Sequence, residues 1–304
     1  MHSLYDLINF PPAIDQLRSE KYDIKKISLS ILRLDKIHPV VSGNKLFKLH
    51  YFLDEAISSS HKTIITFGGA WSNHLAATAY SCQKEGIKCI GFIRGEKPAA
   101  LSGTLIFCKQ NEMELEFISR KAYQKNKTSE FLDMLTKKYG NYTLIPEGGF
   151  SIQGARGAKE ITGFFAGKNY THICCAIGTA TTFAGLINGS NDATEIIGFS
   201  VLKNMADISQ RLKTLNVDET KKYIFISDYH FGGYAKKTEE LIMFMNDFYQ
   251  DNKIPLDFVY TGKMMCGVID LINKNYFPPG SNLLCIHTGG LQGNQSLPKG
   301  TLSF

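Results

Sequence analysis

The chain lacks most features that would divide it or send it out of the cell. It has one tryptophan, Trp71, and nine prolines, with no proline-rich linker, internal repeat or low-complexity tract, so composition marks no boundary within its 304 residues. No apolar run approaches membrane-spanning length, and Met1-His2-Ser3-Leu4-Tyr5-Asp6 lacks the basic segment and apolar core of a secretion signal. Neither membrane insertion nor export is expected. Gly-x-Gly-x-x-Gly is absent, as is the Gly-Lys-Ser/Thr ending of a P-loop, which disfavours a nucleotide fold. Basic residues outnumber acidic ones, 34 to 28, for a net charge of +6, without a basic tail or basic-aromatic interleaving. The lysines of Lys21–Lys26 and Lys121–Lys127 read as solvated faces, so no nucleic-acid partner is expected. The seven cysteines, Cys82, Cys89, Cys108, Cys174, Cys175, Cys266 and Cys285, are odd in number and show no metal-ligand spacing. They read as buried thiols of a protein in the reducing cytoplasm, with no metal site.

What remains is a composition that can build a substantial core, with 43% hydrophobic side chains. Strand-like runs at Ser28–Leu32, Thr63–Phe67, Lys88–Ile93, Leu115–Ile118, His172–Ile177, Glu195–Phe199 and Leu283–His287 alternate with helical stretches. These include Asn73–Glu85, Ser129–Lys138, Thr182–Ile187, Thr238–Phe248 and Lys263–Asn273. The alternation predicts an α/β protein with largely parallel sheets covered by helices.

Three segments carry chemistry. In Ser42-Gly43-Asn44-Lys45-Leu46-Phe47-Lys48-Leu49 a glycine turn opens an amphipathic helix with Lys45 near its start. There the positive end of the helix dipole favours loss of the amine's proton. A neutral amine suits Schiff-base chemistry with a carbonyl cofactor; a solvated helix lysine is the competing reading. In the second segment the run Thr63-Ile64-Ile65-Thr66-Phe67 ends in Gly68-Gly69-Ala70-Trp71-Ser72-Asn73-His74. This strand, turn and helix start offers free amides and the Ser72 hydroxyl to a carboxylate or phosphate, although Ser72 and Asn73 are also ordinary helix caps. The third segment, His172–Ile177 followed by Gly178-Thr179-Ala180-Thr181-Thr182, repeats that architecture. Its amides and three threonine hydroxyls converge on one anion and favour a monophosphate.

Together these segments resemble the fold-type II pyridoxal-phosphate enzymes, in the branch holding 1-aminocyclopropane-1-carboxylate (ACC) deaminase and D-cysteine desulfhydrase. The likeness runs through Arg33-Leu34-Asp35, Ser42 to Lys45, Gly68 to His74 and Ile145-Pro146-Glu147-Gly148-Gly149. It continues through Gly178 to Thr182, Tyr229 to Tyr234, Tyr260-Thr261-Gly262-Lys263 and His287-Thr288-Gly289-Gly290. It implies two open, largely parallel twisted sheets with flanking helices and pyridoxal 5'-phosphate in the cleft between two domains. The large domain would hold residues 1–47 and 156–304, and residues 48–155 would form a smaller inserted α/β domain. A homodimer and a small amino-acid substrate are also implied. Lys45 would carry the cofactor as an aldimine and move the α-proton. Asn73 would meet the phenolic oxygen, and Gly178, Thr179, Ala180, Thr181 and Thr182 the phosphate. Tyr260 would lie against the ring, and Thr288 would face its nitrogen. Ser72 and Tyr234 would join Lys45 and Tyr260 as catalytic residues, with Trp71, Ser72, Asn73 and His74 on the substrate side.

Two residues depart from the pattern. Trp71 stands where both named activities usually have Gln, and an indole there would narrow the pocket. Phe47 stands where relatives tend to carry Arg. The choice among activities rests on Thr261 and Thr288, where ACC deaminases carry Glu and Leu, and on His74. A hydroxyl beside the ring nitrogen leaves it mostly neutral and favours β-elimination. The expected reaction is therefore β-elimination from a small amino acid such as D-cysteine. ACC deamination, a racemase or dehydratase on serine-like substrates, and a cofactor-binding protein without turnover are the alternatives.

Overall fold

The computed structural model describes residues 11–59 and 61–304. The N-terminal stretch Met1–Asp6, from which export was judged, lies outside them. In chain order the strands are β1 (Ile14–Leu17), β2 (Ser28–Arg33), β3 (Thr63–Gly68), β4 (Lys88–Arg94), β5 (Glu114–Ile118), β6 (Thr143–Ile145), β7 (His172–Ile177), β8 (Glu195–Ser200), β9 (Tyr223–Ile226) and β10 (Asn282–His287). The helices are α1 (Glu20–Ile24), α2 (Asn44–Ser58), α3 (Asn73–Lys84), α4 (Gly103–Gln110), α5 (Arg120–Tyr123), α6 (Ser129–Tyr139), α7 (Ile152–Lys159), α8 (Thr181–Gly189), α9 (Ile208–Thr214), α10 (Glu239–Asn252) and α11 (Thr261–Asn273).

Two sheets form, one of six strands in the order β1-β2-β10-β7-β8-β9 and one of four in the order β5-β4-β3-β6. Every neighbouring pair is parallel except the antiparallel β1 and β2. Parallel strands are covered on both faces, so they read as continuous apolar or β-branched runs; β3 is buried along its whole length. Helix starts are set by side-chain caps: Ser72, Ser102, Ser119, Thr128, Ser151 and Thr238 each accept a hydrogen bond from an amide three residues on.

The fold class matches the expectation, and every strand anticipated from the sequence is present. Three strands were not anticipated. β1 and β9 are four-residue edge strands and β6 has only three residues, too short for a periodic signal. Helix α7 was also missed, because its glycines argue against a helix in isolation. Packing requires them: a Cβ on Gly154 would stand 2.0 Å from the Gly149 carbonyl oxygen, and one on Gly157 would stand 1.9 Å from that of Phe47. The approach at Gly157 seats α7 on α2.

Helix α2 is the hinge of the packing. Its residues Leu46, Phe47, Leu49, Phe52 and Leu53 belong to one apolar cluster that also takes in Ile64 and Leu75 beside the small sheet and Phe183 and Ile286 beside the large one. The helix that carries Lys45 is thus wedged between both sheets. Among the described residues no helix is long and apolar enough to cross a membrane, and all seven cysteines are free thiols, with Cys266 alone not fully buried.

Candidate active site

A cavity of about 500 Å³ opens between the two sheets, lined by residues from both. Lys45, Trp71, Ser72, Asn73, His74, Gly178, Thr179, Ala180, Thr181, Thr182, Tyr234, Tyr260 and Thr288 all line it. Every candidate residue from the sequence therefore lies in one place, although they span 244 positions of the chain, from 45 to 288. The parallel strands β3, β7 and β10 deliver Trp71 to His74, Gly178 to Thr182 and Thr288, since each ends at the cleft with its following turn exposed to it.

The amine is held by its own turn. Gly43 sits at φ +75°, and a Cβ there would stand 2.0 Å from the Thr288 carbonyl oxygen, so the turn lies directly on the end of β10. The Gly43 amide donates to the Leu34 carbonyl at 2.7 Å and the Asn44 amide to that of Thr288 at 3.2 Å. Lys45 Nζ donates to Asn44 Oδ1 at 2.7 Å, while Asn44 Nδ2 donates to Thr182 Oγ1 at 2.7 Å. Asn44 thereby links the amine to the anion turn. Burial lowers the Lys45 pKa to about 8, and the Asp257 carboxylate pulls back in the other direction. Burial is the leading cause.

The hydroxyl-rich turn enters α8 through Ala180, a non-glycine residue at φ +71°. Thr179 and Thr181 hydroxyls lie 2.9 Å apart, and Thr182, which already accepts from Asn44, keeps its own proton free to donate. Lys48, one helical turn beyond Lys45, also lines the cavity and is buried; its Nζ donates to the Gly148 carbonyl at 2.7 Å. A Cβ on Gly148 would stand 3.0 Å from Thr179 Cγ2, which places this second amine beside the anion turn. Burial and the neighbouring Lys45 hold the Lys48 pKa well below that of a free lysine.

At the opposite turn, Ser72 is the cap its sequence position suggested, accepting from the Leu75 amide at 3.3 Å, and its side chain also faces the cleft. Asn73 Oδ1 and His74 Nδ1 are buried and have no hydrogen-bond partner. The Thr66 hydroxyl donates to the Ile145 carbonyl at 2.9 Å, so it accepts from His74 Nε2 at 2.8 Å, which leaves Nδ1 as the bare acceptor. Burial, together with Lys45 and Lys48, lowers the His74 pKa to about 3. The ring is neutral at any physiological pH. Trp71 stands at the mouth, 40% exposed, so the cavity stays open beside it.

Tyr260 packs over the anion turn: a Cβ on Gly178 would stand 3.0 Å from its Cε1. Its hydroxyl donates to that of Tyr234 at 3.4 Å, and the two rings meet nearly edge-on, 6.1 Å apart. The turn before α11 is built on Asp257, a buried carboxylate that accepts from the amides of Val259, Tyr260 and Thr261 and from the Thr261 hydroxyl, at 2.7–3.0 Å.

Two sequence arguments change here. Thr261 is fully buried with its hydroxyl on Asp257 and does not line the cavity, so its identity does not act on a bound ring directly. Phe47 lies in the core, edge-on to Phe164 at 5.7 Å, and leaves the cavity unchanged. Sequence reasoning missed Asn44, Lys48, Asp257 and the Arg94–Glu147 pair, 3.7 Å apart at the cleft. Asn44, Lys48 and Glu147 stood inside quoted motifs without a role assigned to them; Asp257 and Arg94 carry no local signal.

The profile of the family described as "Pyridoxal-phosphate dependent enzyme" matches residues 22–289. The chain belongs to that family. It is 32% identical over 297 residues to a candidate 1-aminocyclopropane-1-carboxylate deaminase of Thermotoga maritima, covering 90% of this chain and 91% of that one. A protein of Pyrococcus abyssi with the same description is 31% identical over 273 residues, 83% of this chain and 81% of the other. The crystal structure of an ACC deaminase homologue superposes with a TM-score of 0.80 at 26% identity, covering 97% and 96% of the two chains. An O-ureido-L-serine synthase, 15% identical with a TM-score of 0.69, shares the fold.

The residues fit the cofactor. A readily deprotonated amine, a hydroxyl-rich helix start with the buried Lys48 amine beside it, and unpartnered polar atoms on Asn73 and His74 match an aldehyde, a phosphate and a polar ring edge.

Proposed function

We propose that the protein is a pyridoxal-phosphate-dependent lyase that eliminates a β-substituent from a small amino acid, as in the conversion of D-cysteine and water to pyruvate, sulfide and ammonia. The observation that carries this reading is Thr288, a hydroxyl lining the cleft where the end of β10 touches the Lys45 turn, while the nearby Asp257 carboxylate is consumed by its own turn. When bound, pyridoxal phosphate supplies the electron sink for bonds broken around the substrate's α-carbon. The protein supplies the rest. The α3 start, with Ser72 and the unpaired amides of a first helical turn, receives the substrate carboxylate. Lys48 and the Thr179–Thr182 turn hold the phosphate. Lys45 Nζ is the amine offered to the cofactor and the base that moves the α-proton, and its pKa of about 8 leaves part of it neutral near physiological pH. Tyr234 and Tyr260 bring two hydroxyls to the substrate side.

The division into a large domain, residues 1–47 and 156–304, and an inserted domain, residues 48–155, belongs to this reading. It is supported by the four-stranded sheet drawing only on residues 63–145.

ACC ring opening is the second reading, favoured by the descriptions of the Thermotoga and Pyrococcus relatives. The deciding measurement is kcat/KM for D-cysteine, β-chloro-D-alanine and ACC under one set of conditions, with pyruvate or 2-oxobutanoate as the readout. Faster pyruvate release supports β-elimination, and a clear preference for ACC overturns it. Turnover found only in Trp71→Gln would support a cofactor-binding protein whose indole blocks substrate.

A further inference from the structure

Lys263 is fully buried on α11, yet it does not line the cleft. Its Nζ donates to the carbonyl oxygens of His230 at 2.8 Å and Gly233 at 2.7 Å. Both carbonyls sit in the loop that ends in Tyr234, and each already accepts from an amide of the same loop, Gly233 to His230 at 3.0 Å and Lys236 to Gly233 at 3.1 Å. The loop is not a relaxed one. Phe231, Gly232, Gly233 and Ala235 all have positive φ, and two of them carry a Cβ. Such a path persists only where surrounding contacts hold it.

The contacts lie along one stripe of α11. Lys263 binds the middle of the loop; a Cβ on Gly267 would stand 2.9 Å from the Tyr229 ring; and the Tyr229 hydroxyl donates to Asp270 at 2.6 Å. Positions 263, 267 and 270 share a helix face. The same helix begins at Thr261, directly after Tyr260, and the Asp257 turn that holds Tyr260 also supplies the countercharge felt by Lys263.

We infer that Lys263 is a positioning residue: its ammonium ties loop 230–235 to α11, so that Tyr234 and Tyr260 face the cleft as one unit. This rests on the proposed function only in taking Tyr234 as a substrate-side residue. A lysine is suited to the task because one ammonium can donate to two carbonyls that point at it from different parts of a turn. Met has similar length and no donor, and the two carbonyls keep their amide partners, so Lys263→Met removes the tie without leaving an unpaired oxygen.

Hydrogen exchange of the Gly232, Gly233 and Lys236 amides reads the loop without any turnover. In Lys263→Met these amides are expected to exchange about tenfold faster or more, in both cofactor-free and loaded protein. Cofactor absorbance is retained, because Lys263 does not line the cleft. On substrate, kcat should fall by the same factor as in Tyr234→Phe, and Lys263→Met/Tyr234→Phe should be no slower than Tyr234→Phe alone. Unchanged exchange at all three amides, or losses that multiply in the double variant, would overturn the inference. Should Lys263→Met fail to fold, Tyr229→Phe cuts the tie to Asp270 and is expected to speed exchange at the same amides, and no change there would overturn the inference. A wild type inactive on every amino acid tried would sink the functional reading and leave the exchange comparison to decide this one.

Discussion

At the scale of single residues the cleft sets two lysines and one helix start to different tasks. Lys45 keeps a pKa near 8 against an ordinary value of 10.5. A lysine with a lowered folded-state pKa costs stability while it is charged. The penalty is complete below pH 8 and is relieved as pH rises from 8 towards 10.5. Cofactor-free Lys45→Met should therefore be more stable than wild type at pH 7, by no more than about 3 kcal/mol, with the gap closing above pH 8. Denaturant melts at pH 7 and pH 10 check this, and a gap that widens with pH would refute the assignment. Borohydride reduction of the loaded protein, followed by peptide mapping, should place the cofactor on Lys45; an adduct on Lys48 would exchange the roles of the two lysines. Thr182→Ala removes a hydroxyl that faces the anion site and should weaken cofactor retention by roughly 10- to 100-fold, the worth of one hydrogen bond to a charged group. Thr261→Ala, whose hydroxyl serves Asp257, should lower the melting temperature while retaining more cofactor on dialysis. Equal loss of cofactor from both variants would count against the turn.

At the scale of elements, the site depends on backbones that touch. The Gly43 turn rests on the end of β10, and α7 rests on α2 through Gly157. Gly43→Ala must either move the Thr288 strand end or abandon φ +75°, and the expected cost is about 3 kcal/mol or more. The measurable result is a lower melting temperature together with poor cofactor loading, since Lys45 and Thr288 are displaced by the same shift. A Gly43→Ala protein that melts and loads like wild type would show that the turn has room the structure does not display. The helix starts were legible in the sequence because Ser72 and Thr238 cap them with their own side chains. Helix α7 was not, because the reason for Gly157 is Phe47, more than a hundred residues away in sequence.

At the scale of the whole molecule, reaction choice follows from what the two sheets bring together. If a hydroxyl at Thr288 leaves the ring nitrogen neutral, substrates whose leaving group departs directly should outperform the strained ring of ACC. Thr288→Leu removes that hydroxyl. Under the β-elimination reading it should lower kcat on D-cysteine or β-chloro-D-alanine more than it alters cofactor content; preference for ACC with activity retained in Thr288→Leu would refute the argument from the ring nitrogen. Trp71, exposed at the cleft mouth, should act on KM more than on kcat, and Trp71→Gln tests that split.

The sequence by itself determined the alternation of apolar strands and capped helices, the amine behind a glycine turn, and the two strand-to-helix turns suited to anions. These are local properties, encoded in side-chain period and in the residues that turns demand. Tertiary structure alone decided that the turns from β3, β7 and β10 share one cavity, that burial is the main depressor of the Lys45 pKa, that Thr261 serves Asp257, and that Phe47 belongs to the core. It also brought in Lys48, and it bound the Tyr234 loop to α11 through Lys263. Desolvation and contact across long sequence separations depend on which surfaces meet, and that is set only when the two sheets close on α2.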